Sequence, residues 1–146
     1  MCQNHVISCE CGRKRANFMN LNDLLPPPIL RHLYCPSCSE GVTFDPETMV
    51  KDNGWILEFD MQAARVFLMS EGIPEEAITP EYIFDKGYFS WNGFTPTDIE
   101  DRMKEREEIM KLAKTDRRKF IEELKSWGIN RAARFKAEGW RKTANL

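Results

Sequence analysis

Four cysteines in two tight pairs, Cys9 with Cys11 and Cys35 with Cys38, constrain this chain more than any other feature. Thiolates at about 2.3 Å surround a soft divalent ion as a tetrahedron, and two cysteines one or two residues apart on a tight turn both reach it. Four unrelated thiols would not fall into two such pairs. The chain has five cysteines, an odd number that argues against a disulfide framework and for metal binding in a reducing compartment. The fifth, Cys2, is read as a free terminal thiol. His5 and His32 lie four and three residues from ligand cysteines and, with four thiolates at hand, are expected outside the ligand set. A four-thiolate shell leaves no open position for water or substrate. The site is therefore expected to be structural, its binding free energy appearing as folding free energy.

The two sequences Cys9-Glu10-Cys11-Gly12 and Cys35-Pro36-Ser37-Cys38 carry a resemblance to the zinc-ribbon group with its rubredoxin-like knuckles, over residues 5–45. The CPxC pair and the glycine after the first pair are its carriers, while the first pair is spaced C-x-C rather than C-x-x-C. The resemblance implies one structural Zn2+ held by Cys9, Cys11, Cys35 and Cys38 in a small β-sheet. Iron held in the rubredoxin manner is the alternative ion. Gly12 fits a turn that needs positive φ. Arg13, Lys14 and Arg15 follow it, and two uses stand open: offsetting the −2 charge of four thiolates around a divalent ion, or contacting phosphate.

With 146 residues, 42% of them apolar and 30% charged, the chain is read as one domain's worth of soluble protein with an appendage. No apolar run approaches the ~20 residues of a membrane span. The N-terminal segment has neither the basic start nor the apolar stretch of a secretory signal, so a cytoplasmic location is expected. The fold class is expected to be α+β, with a zinc-ribbon lobe of short strands over residues 1–60 and a mainly helical region over 61–146. Strand-like runs are Val6-Ile7, Val42-Thr43-Phe44 and, after the turn signal Asp52-Asn53-Gly54, residues 55–59. Between the pairs, Pro26-Pro27-Pro28 excludes a continuous helix or central strand and reads as a stiff spacer, with polyproline recognition as its functional alternative.

Residues 61–71 read as a helix capped by Asp60, ended by Gly72 and presenting Ala64, Phe67, Leu68 and Met69. Short helical turns are expected around Pro74 and Pro80. Thr97 and Glu100 match a capping box for a charged surface helix from 98 to about 113, whose thin apolar stripe is Ile99, Met103, Met110 and Ala113. A second helix starts at Asp116 with an apolar face of Phe120, Ile121, Leu124 and Trp127. Gly128 is expected to stop it, and Asn130 to cap a third helix reaching Gly139.

Two further groups are candidate contact residues. Tyr82, Phe84, Tyr88, Phe89, Trp91 and Phe94 fall in a glycine-interrupted stretch, residues 82–94, that reads as an aromatic loop. It forms either a protein-interaction surface or part of the core. The second group is the basic tail, Arg131, Arg134, Lys136, Arg141 and Lys142. Residues 1–110 carry 10 Lys/Arg against 19 Asp/Glu, and residues 111–146 carry 11 against 4. Such a tail meets an acidic partner or nucleic acid, or it pairs with the acidic part of its own chain. No nucleophile elbow, phosphate-cradling glycine loop or H-E-x-x-H pair is present, and there are only two histidines, so no enzyme and no small-molecule substrate is read. The preferred function is a non-enzymatic protein-interaction or accessory module. A nucleic-acid binder and an iron electron carrier are the alternatives, the former opposed by a pI near 5.8.

Overall fold

A computed structural model describes residues 3–144. Cys2 lies outside them. The first strand, β1 (Gln3–Ser8), runs into the first cysteine pair and returns as β2 (Arg15–Asn20), antiparallel from Gln3↔Asn20 to Ser8↔Arg15. The cysteine pair thus sits at the tip of a hairpin. A proline-containing 3-10 turn at Pro27–Ile29 then leads into β3 (Leu30–Tyr34), with Leu25 and Ile29 on either side of the prolines buried in the core. The stiff spacer is packed, not looped out. The second cysteine pair follows at once, Cys38 lying in the one-turn helix α1 (Pro36–Ser39).

Next come β4 (Met49–Asp52) and β5 (Trp55–Phe59), joined by Asn53 and Gly54. Both turn residues have positive φ, 47° and 87°, as a two-residue hairpin of matching twist requires. A Cβ on Gly54 would lie 3.1 Å from the Pro36 ring carbon, so this turn also lets the second knuckle approach closely. The strand expected at Val42-Thr43-Phe44 does not form. Phe44 is exposed, and the strand begins instead at Met49, where Met49, Val50 and Asp52 are buried.

Helix α2 (Met61–Ser70) is capped as expected, Asp60 accepting from the Ala63 N–H at 3.1 Å and Gly72 closing the other end with φ 87°. Its buried side is Met61, Ala64 and Leu68, whereas Phe67 and Met69 are exposed. The stretch read as one aromatic loop holds α3 (Pro80–Asp85), capped by Thr79, and a two-residue strand β6 (Ser90–Trp91) paired with β2. Two three-stranded antiparallel sheets result, ordered β1-β2-β6 and β3-β5-β4.

The remainder is helical: α4 (Asp98–Glu105), α5 (Glu107–Met110) and α6 (Arg117–Glu138). Two expectations are corrected here. The capping box is not made, because the Thr97 hydroxyl donates to Asp101 at 2.8 Å and caps no backbone N–H. Nor does Gly128 stop a helix: α6 runs unbroken for 22 residues and ends at Gly139, φ 86°. Gly128 keeps a helical φ, and the chain beyond it is anchored by Arg131, whose guanidinium pairs with Asp98 and Glu105 of α4.

With about 50% helix and 19% strand, the fold is α+β. Its core is one cluster extending in sequence from Cys9 to Trp91, with Phe18 against Phe89 and Trp91 at ring distances of 5.0 and 5.3 Å. The β2–β6 pair and these rings cross position 60, so the ribbon strands share their core with the chain that follows. No helix among the described residues is long and apolar enough to cross a membrane.

Candidate metal centre

The hairpin loop from Cys9 to Lys14 is closed by its own backbone: the Cys9 N–H donates to the Lys14 carbonyl and the Gly12 N–H to the Cys9 carbonyl, each at 2.8 Å. Gly12 takes φ 72°. That tight turn lets a C-x-C spacing present two sulfurs on one side. The Glu10 N–H donates to the Leu33 carbonyl at 3.0 Å, docking this knuckle on β3, which delivers Cys35. On the second knuckle, Pro36 occupies the first helical position and the Ser39 N–H returns to the Cys35 carbonyl at 2.8 Å.

The four sulfurs consequently lie within 4.8 Å of one another. Within that cluster the sulfurs of Cys9 and Cys38 are 3.5 Å apart, those of Cys9 and Cys11 3.5 Å and those of Cys11 and Cys35 3.9 Å. A tetrahedron with metal–sulfur bonds of about 2.3 Å has edges of about 3.8 Å, so the donors fit such an ion in chemistry and spacing. Backbone donors already face the sulfurs, Cys35 N–H to Cys9 Sγ at 3.1 Å and Arg13 N–H to Cys11 Sγ at 3.4 Å. Cys9 and Cys35 are buried and Cys11 is exposed.

The thiols share protons unequally. The Arg13 N–H holds Cys11 down to about 6. The hydrogen bonds that Cys38 shares with Cys9 and Cys11 favour its protonated form and push it up to about 12, and burial raises Cys9. Burial opposes ionisation of Cys35 too, but N–H groups and neighbouring thiols outweigh it and lower that pKa. Four thiols so close cannot all ionise unaided; a divalent ion held there would supply the missing positive charge and displace the remaining protons. Neither histidine joins the cluster. His32 Nδ1 faces Glu10 Oε1 at 2.8 Å, with Glu58 at 3.7 Å from Nε2, tying the first knuckle to the β3-β5 sheet, while His5 lies in β1 opposite Phe18.

Arg13, Lys14 and Arg15 are exposed beside the centre, and Arg15 reaches Glu100 of α4 at 3.8 Å. The aromatic residues divide. Phe84, Phe89 and Trp91 are 0% exposed and are core, which removes them from any docking surface. Tyr82 and Tyr88 are half-buried and stack on each other at 5.9 Å, and Phe94 packs on Phe135 at 6.2 Å. Much of the basic tail is engaged within the chain. Arg131 is buried against Asp98 and Glu105, and Arg134 meets Glu105 at 3.0 Å. Arg141 binds Asp85 through both carboxylate oxygens at 2.9 and 2.7 Å, and Lys142 donates to the Trp91 carbonyl. Lys136 borders an open cleft near Trp140 and Asp85.

Sequence reading missed two arrangements. Buried Asp52 accepts from the Trp91 indole N–H at 2.7 Å and from the Arg141 N–H at 3.1 Å, fixing the C-terminal turn to the sheet. A cleft of about 560 Å3 also opens beside the first knuckle, with Trp55, Phe135 and Trp140 among its lining. Both depend on residues far apart in sequence, for which no local pattern exists.

No protein-family model matches the chain, and comparisons with curated proteins and with solved structures give no significant match.

Proposed function

We propose that the protein is a small, non-enzymatic interaction or accessory module whose two sheets are stapled by one structural Zn2+ on Cys9, Cys11, Cys35 and Cys38. The observation that carries this reading is the convergence of four sulfurs from two separate sheets to within 4.8 Å, with backbone N–H groups aimed at them. Zinc suits a closed thiolate tetrahedron whose work is folding; it leaves partner binding to the surface around it. A reducing, cytoplasmic setting agrees with unpaired thiols in this arrangement.

Replacing Cys35, buried and central to both knuckles, tests the staple. Cys35→Ser is expected to lose its zinc and to lower the thermal midpoint by about 10 °C or more, on the usual conversion of stability to melting temperature for a domain of this size. Full metal content with an unchanged midpoint would remove Cys35 from the ligand set. The iron alternative is read from the same sample, because ferric thiolate is red and zinc thiolate colourless.

A further inference from the structure

The cleft beside the first knuckle has two charged walls. Arg13, Lys14 and Arg15 form one, held by the closed Cys9–Lys14 turn, and Glu100, Asp101 and Glu138 from α4 and α6 belong to the other. Trp55, Phe135 and Trp140 line the cleft as well. Trp55 and Phe135 are nearly buried and so rigidly placed, while Trp140 is half-buried. Thr95 also lines the cleft, and its buried hydroxyl has no hydrogen-bond partner among the described residues. Buried polar atoms are nearly always paired, so a ligand or water at this wall has a use there. At about 560 Å3 the space is of the size that ligand sites occupy.

The charge pattern selects the occupant. A nucleic-acid strand or other polyanion meeting the basic wall would bring its remaining phosphates against three carboxylates and the negative thiolate centre. A polycation fails for the converse reason. An extended peptide can carry both signs around an apolar side chain. Among the described residues one ion pair, Arg15–Glu100 at 3.8 Å, joins the walls, and both partners are largely exposed, so opening it costs little.

We infer that this cleft binds an extended peptide segment of a partner protein, an acidic residue facing Arg13 and Lys14, an apolar or aromatic residue over Trp55, Phe135 and Trp140, and a basic residue facing Glu100 and Asp101. This inference rests on the interaction-module reading and names its surface. Complementary charge sets orientation and discriminates among partners, while the aromatic floor supplies the anchor.

Selection of a random-sequence peptide library displayed on phage against the zinc-loaded full chain tests it, followed by affinity measurement on synthesised winners. Enriched peptides should place acidic and basic residues on either side of an apolar one. Lys14→Glu, at an exposed side chain, should weaken them about tenfold, and Lys14→Glu with Glu100→Lys should shift preference toward peptides of reversed charge order. Winners indifferent to both variants would overturn the cleft and leave the interaction reading standing. Absence of any winner, or displacement of winners by a mixed-sequence RNA oligonucleotide at low salt, would also overturn the inference. Zinc content and thermal midpoint of each variant, measured alongside, separate these outcomes from misfolding.

Discussion

Asp52 carries more of the structure than its place at the end of a strand suggests. Its carboxylate is buried, and burial raises its pKa even though the Trp91 indole and the Arg141 N–H donate to it. A carboxyl that holds its proton more tightly when folded contributes most stability below the ordinary carboxylate pKa of about 3.9. That contribution is lost as pH rises through the window up to the raised folded value. Asp52→Asn cannot ionise, so the difference in stability between wild type and variant should change across that window and flatten above it. Urea unfolding of both proteins between pH 3.5 and 7 would show this; parallel stability curves would contradict it. Glu105, lowered by Arg131, works in the opposite sense in both proteins and cancels from the difference.

Helix α6 shows how local rules and long-range contacts divide the work. Its start was legible, Asp116 accepting from the Lys119 N–H at 3.1 Å, and Gly139 is a fitting end. Its continuity was not, because Gly128 followed by Ile129 has the pattern of a stop. What carries the helix past Gly128 is Arg131, stacked 4.6 Å from the Phe135 ring one turn on and paired with Asp98 and Glu105 of α4, and that pairing has no local signature. Since Gly128 keeps a helical φ and an added Cβ meets nothing within 4 Å, Gly128→Ala should stabilise the protein by about 0.5–1 kcal/mol. Thermal unfolding checks the sign, and a destabilised variant would mean the helix does not run through this position. Strands fared likewise. The Asn53-Gly54 turn and β5 follow from local chemistry, but β6 is only two residues long and exists because β2 offers it an edge.

At the scale of the molecule, the cysteine cluster was readable because both members of each cysteine pair lie within three residues, and spacing alone then encodes geometry. The cleft and the shared core were not, since Trp55, Thr95 and Trp140 meet only after folding. Charge asymmetry follows the same logic: the basic C-terminal region is drawn onto Asp85, Asp98 and Glu105 of its own chain. The shared core changes what metal loss should do. Phe18, on the strand that leaves the first knuckle, packs on Phe89 and Trp91, so unfolding of the knuckles should spread as far as β6. The N-terminal half of α6, whose residues are exposed or half-buried, should be far less affected.

The staple is tested most directly by thermal unfolding of the native protein, of known metal content, with and without a strong chelator. One zinc per chain and a midpoint that falls by about 10 °C or more when the metal is removed is the predicted result. A chain that is purified without metal, or that melts at the same temperature once stripped of it, would contradict the account.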